Sequence, residues 1–219
     1  MDQEKAYKGL GMEGFTAKWY ASVTRKSLED FKELARRVAS QVPAGSRVLE
    51  VAPGPGYFGI ELAKLGDYQV TGLDISNTFV EIAQRNAADA RVDVEFRQGN
   101  AASMPFEDDS FDFLLCRAAF KNFTQPVHAL QEMHRVLRSS GQALIIDLRR
   151  DASPDSINQA VDGMGLSVSN SIITKLTFRF MLLKRAYTRH DFDQFLAQTD
   201  FRRIEIQKDL IGLELLLEK

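Results

Sequence analysis

The stretch RVLEVAPGPGYFGIELAKLG, residues 47–66, decides the fold class that we predict for this chain. Residues 48–51 have the length and composition of a buried strand, and an amphipathic segment follows a turn rich in proline and glycine. Three glycines, Gly54, Gly56 and Gly59, satisfy the G-x-G-x-x-G spacing of loops that bind a nucleotide between a strand and a helix. The stretch therefore predicts a strand, loop and helix with a nucleotide-containing ligand at the loop.

The alternation of strand and helix continues along the chain to residue 148. Strands are predicted at residues 48–51, 69–75, 92–97, 111–116 and 142–148. Helices are predicted at residues 56–66, 78–90 and 126–138. Because strands that alternate with helices form parallel sheets with both faces covered, we predict an α/β protein with a Rossmann-like, doubly wound, mostly parallel sheet. In such sheets, ligands bind at the carboxyl ends of the strands.

The segments on either side of this alternation complete the predicted architecture. Before it, residues 27–41 form an amphipathic helix, and after it, residues 153–187 are too long for a simple connection. We expect two helices in this insertion, at residues 155–163 and 170–186. Near the end of the chain we expect a helix at residues 188–198 and strands at 201–206 and 210–218. These two strands form a hairpin that adds an antiparallel edge strand, which makes a seven-stranded sheet.

We therefore predict a single domain over residues 1–219. Its parts are an N-terminal helical cap (1–42), a cofactor-binding core (46–149), a helical insertion that acts as a substrate lid (153–187), and a C-terminal helix and hairpin (188–219).

Composition and charge bound the function classes. The formal net charge is −2, so overall charge indicates neither a nucleic acid nor a membrane as partner. The first ten residues are polar, unlike a signal peptide, and no apolar run reaches the roughly 18 residues of a membrane span. Cys116 is the only cysteine and can form neither an internal disulfide nor a zinc site by itself. We expect a cytoplasmic protein without a metal ion.

Residues next to the glycine loop weigh against a dinucleotide. Glu50 places a carboxylate at the end of the first strand, where it would repel a pyrophosphate but suit a ligand with a cationic amino group. Pro53 and Pro55 remove two backbone N–H donors that a phosphate cradle uses. Asp74, at the end of the second strand, suits either ligand because a carboxylate there can accept both ribose hydroxyls.

Four stretches in order, covering residues 46–149 or about half of the chain, resemble the class I S-adenosylmethionine-dependent methyltransferases of the small-molecule, methyltransferase 11-like type. The stretches are VLEVAPGPGYF, VTGLDIS, FRQGNAASMPFEDDSFDFLLCRAAF and ALQEMHRVLRSSGQALIIDL. The resemblance implies that the cofactor is S-adenosyl-L-methionine and that the product is S-adenosyl-L-homocysteine.

The resemblance also implies roles for residues at the first two strands. Glu50 would orient the amino group of the methionine part of the cofactor. Ala52, Gly54 and Gly56 would let the backbone approach that part closely. Asp74 would accept the ribose hydroxyls.

Further cofactor contacts are implied at the adenine and at the methionine end. Ile75 would pack on the adenine, and Asn100 and Ala101 would meet its edge. Asn100 departs from the usual aspartate but keeps an acceptor for the adenine amino group. Arg117 follows the fourth strand, where a cofactor contact is expected, and Tyr20 resembles an N-terminal aromatic residue that covers the carboxylate end.

Candidate catalytic and substrate-binding residues lie in the less similar parts of the chain. Lys121 and Asn122, after the fourth strand, and His190, at the start of the late helix, are candidates for catalysis. Lys121, Arg149 and Arg150 are candidates for substrate binding, and Arg149 and Arg150 are expected to face the crevice. Residues 149–189 carry a local charge of +4, which indicates either a solvated helix face or an acceptor with a carboxylate or phosphate.

The resulting prediction is transfer of a methyl group from S-adenosylmethionine to a small-molecule acceptor by direct in-line displacement. Two alternatives stay open: an RNA or protein methyltransferase that uses the basic insertion, and a relative that binds the cofactor without catalysis. An NAD-dependent oxidoreductase is a more distant alternative.

Overall fold

A computed structural model describes residues 7–8, 11–165 and 167–219 of the chain. Within these residues, seven strands form one sheet. The strands are β1 (Arg47–Val51), β2 (Gln69–Asp74), β3 (Val94–Gln98), β4 (Phe111–Arg117), β5 (Leu137–Leu148), β6 (Arg203–Lys208) and β7 (Gly212–Glu218). Their order across the sheet is β3-β2-β1-β4-β5-β7-β6, and neighbouring strands from β3 to β5 are parallel. The strand order reverses between β1 and β4, so the carboxyl ends of these two strands flank the crevice that the fold class predicts.

The helices match the predicted segments closely. They are α1 (Gly14–Thr24), α2 (Leu28–Ala39), α3 (Tyr57–Ala63), α4 (Asn77–Ala90), α5 (Pro126–Val136), α6 (Pro154–Asp162), α7 (Val168–Thr177), α8 (Leu183–Arg185) and α9 (Arg189–Leu196). The predicted helix at residues 170–186 is present in three pieces, because a π-helical turn, Phe178–Leu182, separates α7 from α8. Among the described residues, no helix is long and apolar enough to cross a membrane.

The two faces of the sheet carry separate hydrophobic clusters, as a doubly wound sheet requires. Side chains of β4 alternate between them: Leu114 and Cys116 join the cluster under α5 and α9, whereas Phe113 and Leu115 join the cluster under α2, α3 and α4. This alternation follows from the two-residue period of a strand. Both faces are therefore covered by helices, and the predicted fold class is confirmed.

The C-terminal hairpin is present, but its antiparallel strand does not form the edge of the sheet. β7 pairs with β5 and with β6, antiparallel to both, so β6 becomes the edge strand. The reason is burial: Leu213, Leu215 and Leu217 of β7 are at most 1% exposed, whereas β6 is rich in charged residues. An apolar strand gains most between two neighbours, and a charged strand protects an open edge.

Candidate functional site

Backbone conformation marks the ends of β1 and β4. Ala52, directly after β1, and Ala118, directly after β4, have left-handed φ angles of 56° and 57°. Non-glycine residues adopt this conformation at a cost on the order of 1 kcal/mol, and such residues cluster at functional sites. Because β1 and β4 are parallel neighbours, the two strained positions lie at the same end of the sheet. This is the end formed by the carboxyl termini of the strands, where the topology predicts ligand binding.

The loop between β1 and α3 requires glycine. Gly54 and Gly56 have φ angles of 56° and 77°. At Gly56, a Cβ atom would lie 2.6 Å from the ring of Phe96, so a side chain would not fit. At Gly54 a Cβ atom would lie 4.0 Å from the rings of Tyr20 and Phe79, which is ordinary van der Waals contact, and Gly54 itself is buried. The loop is therefore packed against Phe96 at Gly56 and covered by Tyr20 and Phe79 at Gly54.

Asp74 is held at the end of β2 by backbone donors. Its Oδ2 accepts a hydrogen bond from Gly54 N at 2.9 Å, and its Oδ1 accepts one from Ser76 N at 2.9 Å. Burial raises the pKa of Asp74 to about 6, against the opposing effect of these hydrogen bonds. Because a carboxylate offers about four lone-pair positions, each oxygen still has capacity to accept a ligand hydroxyl.

Glu50 is the second buried carboxylate of the site. It is 4% exposed, and its Oε2 accepts a hydrogen bond from Gly59 N at 3.0 Å. Burial raises its pKa to about 8, although the Gly59 hydrogen bond and the charge of Arg117 act in the opposite direction. A cationic group next to Glu50 would offset this burial, which is the chemistry that an amino-acid ammonium group supplies.

Tyr20 and Arg117 lie near the two carboxylates. The Tyr20 ring meets the ring of Phe79 edge to face, with centroids 5.8 Å apart. The charge of Arg117 lowers the pKa of Tyr20 and that of Glu50, while burial raises both. The guanidinium group of Arg117 stacks on Phe31 at 4.4 Å, a partner that sequence reasoning missed. The structure thus brings together residues of α1, β1, β2 and β4.

The expected adenine contacts occupy the ends of β2 and β3. Ile75 directly follows β2 and is 42% exposed, so its side chain is available to pack on a ring. The Oδ1 atom of Asn100 accepts a hydrogen bond from Ala102 N at 2.9 Å, so a ligand amino group would share this acceptor with the loop. Ala101 is half-buried against the main core cluster.

The N-terminal segment adds Tyr7, which sequence reasoning also missed. Tyr7 forms an antiparallel bridge with Phe123, in the loop after β4. Burial raises the pKa of Tyr7, the charge of Arg185 lowers it, and Tyr20 and Asp74 raise it. The bridge places Tyr7 beside the loop that follows β4. A lone tyrosine in a polar stretch carries no sequence pattern that could have shown this.

The side chain of Lys121 is bound to other groups of the protein. Its Nζ atom forms an ion pair with Asp147 Oδ1 at 3.0 Å, and its side chain is 8% exposed. The Nζ atom also donates to the carbonyl of Ala118, and the backbone N–H of Lys121 donates to Asp147 Oδ2 at 2.8 Å. The geometry gives Lys121 a positioning role, because it ties the left-handed Ala118 to the end of β5.

The other candidate residues outside the cofactor region also have protein partners. Arg149 donates hydrogen bonds to the carbonyls of Asp209 and Leu210, so its guanidinium group holds the β6–β7 turn. Arg150 pairs with Asp191 at 2.8 Å. His190 is exposed at the start of α9, next to Gln194.

Asn122 is half-buried in a short turn after β4. Its backbone carbonyl accepts a hydrogen bond from Lys8 N at 2.8 Å. Asn122 therefore anchors the N-terminal segment through its backbone, and its side chain remains a candidate for catalysis.

A cleft also lies at the opposite end of the sheet, where the parallel strands begin. It has a volume of about 640 Å³ and is lined by residues at the amino ends of β1, β2 and β4, among them Arg47, Gln69 and Phe111. Because ligands of open parallel sheets bind at the carboxyl ends, we place the candidate site at the edge with Glu50 and Asp74. The described residues contain no group of three or more side chains able to hold a metal ion.

Comparison with known proteins adds three sequence findings. Residues 49–145 match a family described as a methyltransferase domain. The chain is 33% identical over 121 residues to a demethylmenaquinone methyltransferase of Deinococcus radiodurans, covering 54% of this chain and 50% of that protein. It is 31% identical over 127 residues to a ubiquinone/menaquinone biosynthesis C-methyltransferase of a Marinomonas species, covering 56% and 50%. The chain thus spans about half the length of the curated relatives it matches.

Solved structures with the same fold cover nearly the whole chain. A Methanococcus maripaludis protein, provisionally described as an S-adenosyl-L-methionine-dependent methyltransferase, has a TM-score of 0.80 at 20% identity, with 97% of this chain and 95% of that chain covered. A SAM-dependent methyltransferase of Aquifex aeolicus has a TM-score of 0.69 at 16% identity, with 92% and 96% covered. At these identities the likeness shows the fold.

Proposed function

We propose that the chain is a class I S-adenosylmethionine-dependent methyltransferase, since residues 49–145 match a methyltransferase domain, and that it transfers the methyl group of S-adenosylmethionine to a small-molecule acceptor. The observation that carries this proposal is the pair of buried carboxylates, Glu50 and Asp74, at the carboxyl ends of neighbouring strands. Between them lies a glycine loop that the rings of Tyr20 and Phe79 cover.

The residues at this edge suit the cofactor. Glu50 would hold the ammonium group, since burial without a cation is unfavourable for its charged form. Asp74 would accept the ribose hydroxyls with the lone pairs that Gly54 and Ser76 leave free. Ile75 would pack on the adenine. Tyr20 and Tyr7 would cover the methionine end and exclude water.

The cofactor, when bound, supplies an already activated methyl group. The protein then has to align the acceptor in line with that methyl group and keep water away. A general base is required only for an acceptor that is protonated at working pH.

A quinone-type ring is the first acceptor class to test. Support for it comes from the relatives named above, whose names place their reactions in quinone biosynthesis. The family match ends at residue 145, so the insertion that would choose the acceptor lies outside it.

Calorimetric titration with S-adenosylhomocysteine tests the cofactor assignment. We expect micromolar binding, and loss of at least about tenfold in affinity in Asp74→Ala, because charge-assisted hydrogen bonds to the ribose are removed. Asp67→Ala is the matched control, since Asp67 is exposed at the other end of the same strand. Binding of NADH in place of S-adenosylhomocysteine would overturn the proposal.

Methyl transfer itself is tested with radiolabelled S-adenosylmethionine and a demethylated quinone analogue. Labelled product would identify the acceptor class. Cofactor binding without transfer to the quinone or to other small aromatic acceptors would favour a non-catalytic relative.

A further inference from the structure

Helix α1 exposes an apolar stripe. Ala17 and Ala21 pack against Phe79 and Ile82 of α4, which fixes the inward face of the helix. The opposite face presents aromatic and aliphatic side chains at a spacing of four residues: Phe15 at 83%, Trp19 at 57% and Val23 at 43% exposure. We call these three residues the cap face.

The insertion exposes a larger apolar face. No residue of α7 is buried, and the insertion is anchored instead by Ile157, Val161 and Leu183. The exposed apolar residues, which we call the lid face, are Val168, Ile172, Ile173, Leu176, Phe180 and Met181, each at least 51% exposed. Several exposed apolar side chains within one short segment are typical of an interaction site.

Basic residues predominate around the two faces, although two of them have acidic partners: Lys175 pairs with Asp162 at 2.8 Å and Arg189 with Asp193 at 3.9 Å. Residues 14–28 and 163–190 contain eight of the 28 Lys and Arg residues of the chain and none of its 30 Asp and Glu residues. Arg179 and Lys184 flank the ring of Phe180, at 5.6 Å and 5.8 Å from its centroid. The net charge of −2, from which we expected no membrane contact, therefore conceals a strongly uneven distribution.

Helix α1 and the insertion both lie next to the carboxyl ends of the strands, where we place the ligand. Tyr20 of α1 lies beside Gly54, and the hydroxyl of Tyr187, two residues after α8, donates a hydrogen bond to the carbonyl of Phe123, in the loop after β4, at 3.1 Å.

We propose that the cap face and the lid face bind the surface of an anionic lipid bilayer, with the apolar side chains in the interface and the basic side chains at the headgroups. Amphipathic helices with aromatic and aliphatic residues on one face and Lys and Arg beside them bind in this way. An anionic bilayer matches both kinds of side chain on these faces, because it offers an apolar interface directly beneath negatively charged headgroups. This proposal does not depend on methyl transfer.

Vesicle co-sedimentation of the full chain tests the proposal. We expect binding to phosphatidylcholine vesicles that contain about one-third phosphatidylglycerol, and much weaker binding to pure phosphatidylcholine. Arg179→Gln with Lys184→Gln should weaken binding roughly 25-fold at low ionic strength, about fivefold for each charge. Ile172→Ser, Ile173→Ser and Phe180→Ser together should abolish it.

A control triple variant tests whether vesicle binding depends on the lid face or on any exposed apolar residues. Leu65, Ile204 and Leu210 are exposed by 47%, 43% and 38% at other parts of the fold, so their replacement by Ser should leave vesicle binding unchanged. Titration of each variant with S-adenosylhomocysteine shows whether the fold and the cofactor site are intact.

Three results would overturn the proposal: no binding to anionic vesicles, equal binding to both vesicle types, or equal loss in the two triple variants. A dimer that the lid-face variant converts to a monomer, without any vesicle binding, would show that a second copy covers the face.

Discussion

Glu50 shows at the scale of one residue how burial sets up a ligand site. Its carboxylate has a pKa of about 8 in the ligand-free protein, compared with an ordinary value of 4.5. Burial likewise raises the pKa of Asp74 to about 6. For both groups the folded-state pKa exceeds the unfolded value. Their contribution to stability is therefore fully present below pH ~4 and is lost as pH rises through about 6 and then about 8.

Cofactor binding should depend on pH through Glu50. Binding of an ammonium group requires the charged carboxylate, so a proton leaves Glu50 when the ligand binds below pH 8. We expect the affinity for S-adenosylhomocysteine to rise up to about tenfold per pH unit between pH 6 and 8. Calorimetry in two buffers with different ionisation enthalpies would measure the released proton.

Glu50→Gln is the control for this pH dependence. Glutamine keeps an oxygen acceptor for Gly59 N but does not titrate. The variant should therefore bind S-adenosylhomocysteine more weakly, with an affinity that is constant over the same pH range. A pH-independent affinity of the unmodified protein would contradict the assignment of Glu50 to the ammonium group.

At the scale of elements, the buried pair of Lys121 and Asp147 connects the turn after β4 to the end of β5. Removing the cation in Lys121→Met leaves Asp147 buried without its charge partner. We expect a loss of about 3–5 kcal/mol in the free energy of unfolding, or a melting temperature lower by roughly 10 °C. Thermal denaturation followed by circular dichroism measures the change.

The control for this variant is a surface ion pair. Lys32 pairs with Glu29 at 2.6 Å on the exposed side of α2, so Lys32→Met should change the melting temperature far less. Equal losses in the two variants would contradict a structural role for the Lys121 ion pair.

Element type was predictable, whereas placement within the sheet was only partly so. The alternating hydrophobicity of β3 and the amphipathic spacing of α2 and α4 indicate their structures without any tertiary information. The sequence did not indicate that β7 pairs with β5 and leaves β6 at the edge. That placement depends on which of the two strands packs under α5 and α9, a contact between residues far apart in sequence. The apolar content of β7 was the signal available for it.

At the scale of the whole molecule, cofactor binding should stabilise the fold. The proposed ligand contacts come from α1, β1, β2, β3 and β4, so unfolding any of them releases the ligand. At a concentration about 100 times the Kd, S-adenosylhomocysteine adds about 2.7 kcal/mol to the free energy of unfolding. For a chain of this size we expect a rise in melting temperature of roughly 5–10 °C.

Differential scanning fluorimetry with and without the ligand checks this expectation. Asp67→Ala should keep the shift and Asp74→Ala should lose most of it. A shift produced by NADH at equal concentration, and absent with S-adenosylhomocysteine, would contradict the cofactor assignment.

The sequence by itself determined the fold class, the order of the elements and the positions of Glu50, Gly54, Gly56 and Asp74 at the ends of strands. These features depend on local periodicity and on short spacings, which a single segment contains. The tertiary structure decided which polar residues are free to meet a ligand. Lys121 and Arg149 have partners 26 and 60 residues away, and Tyr7 reaches the site by pairing with Phe123. Such contacts form only when distant segments pack, so no local pattern reveals them.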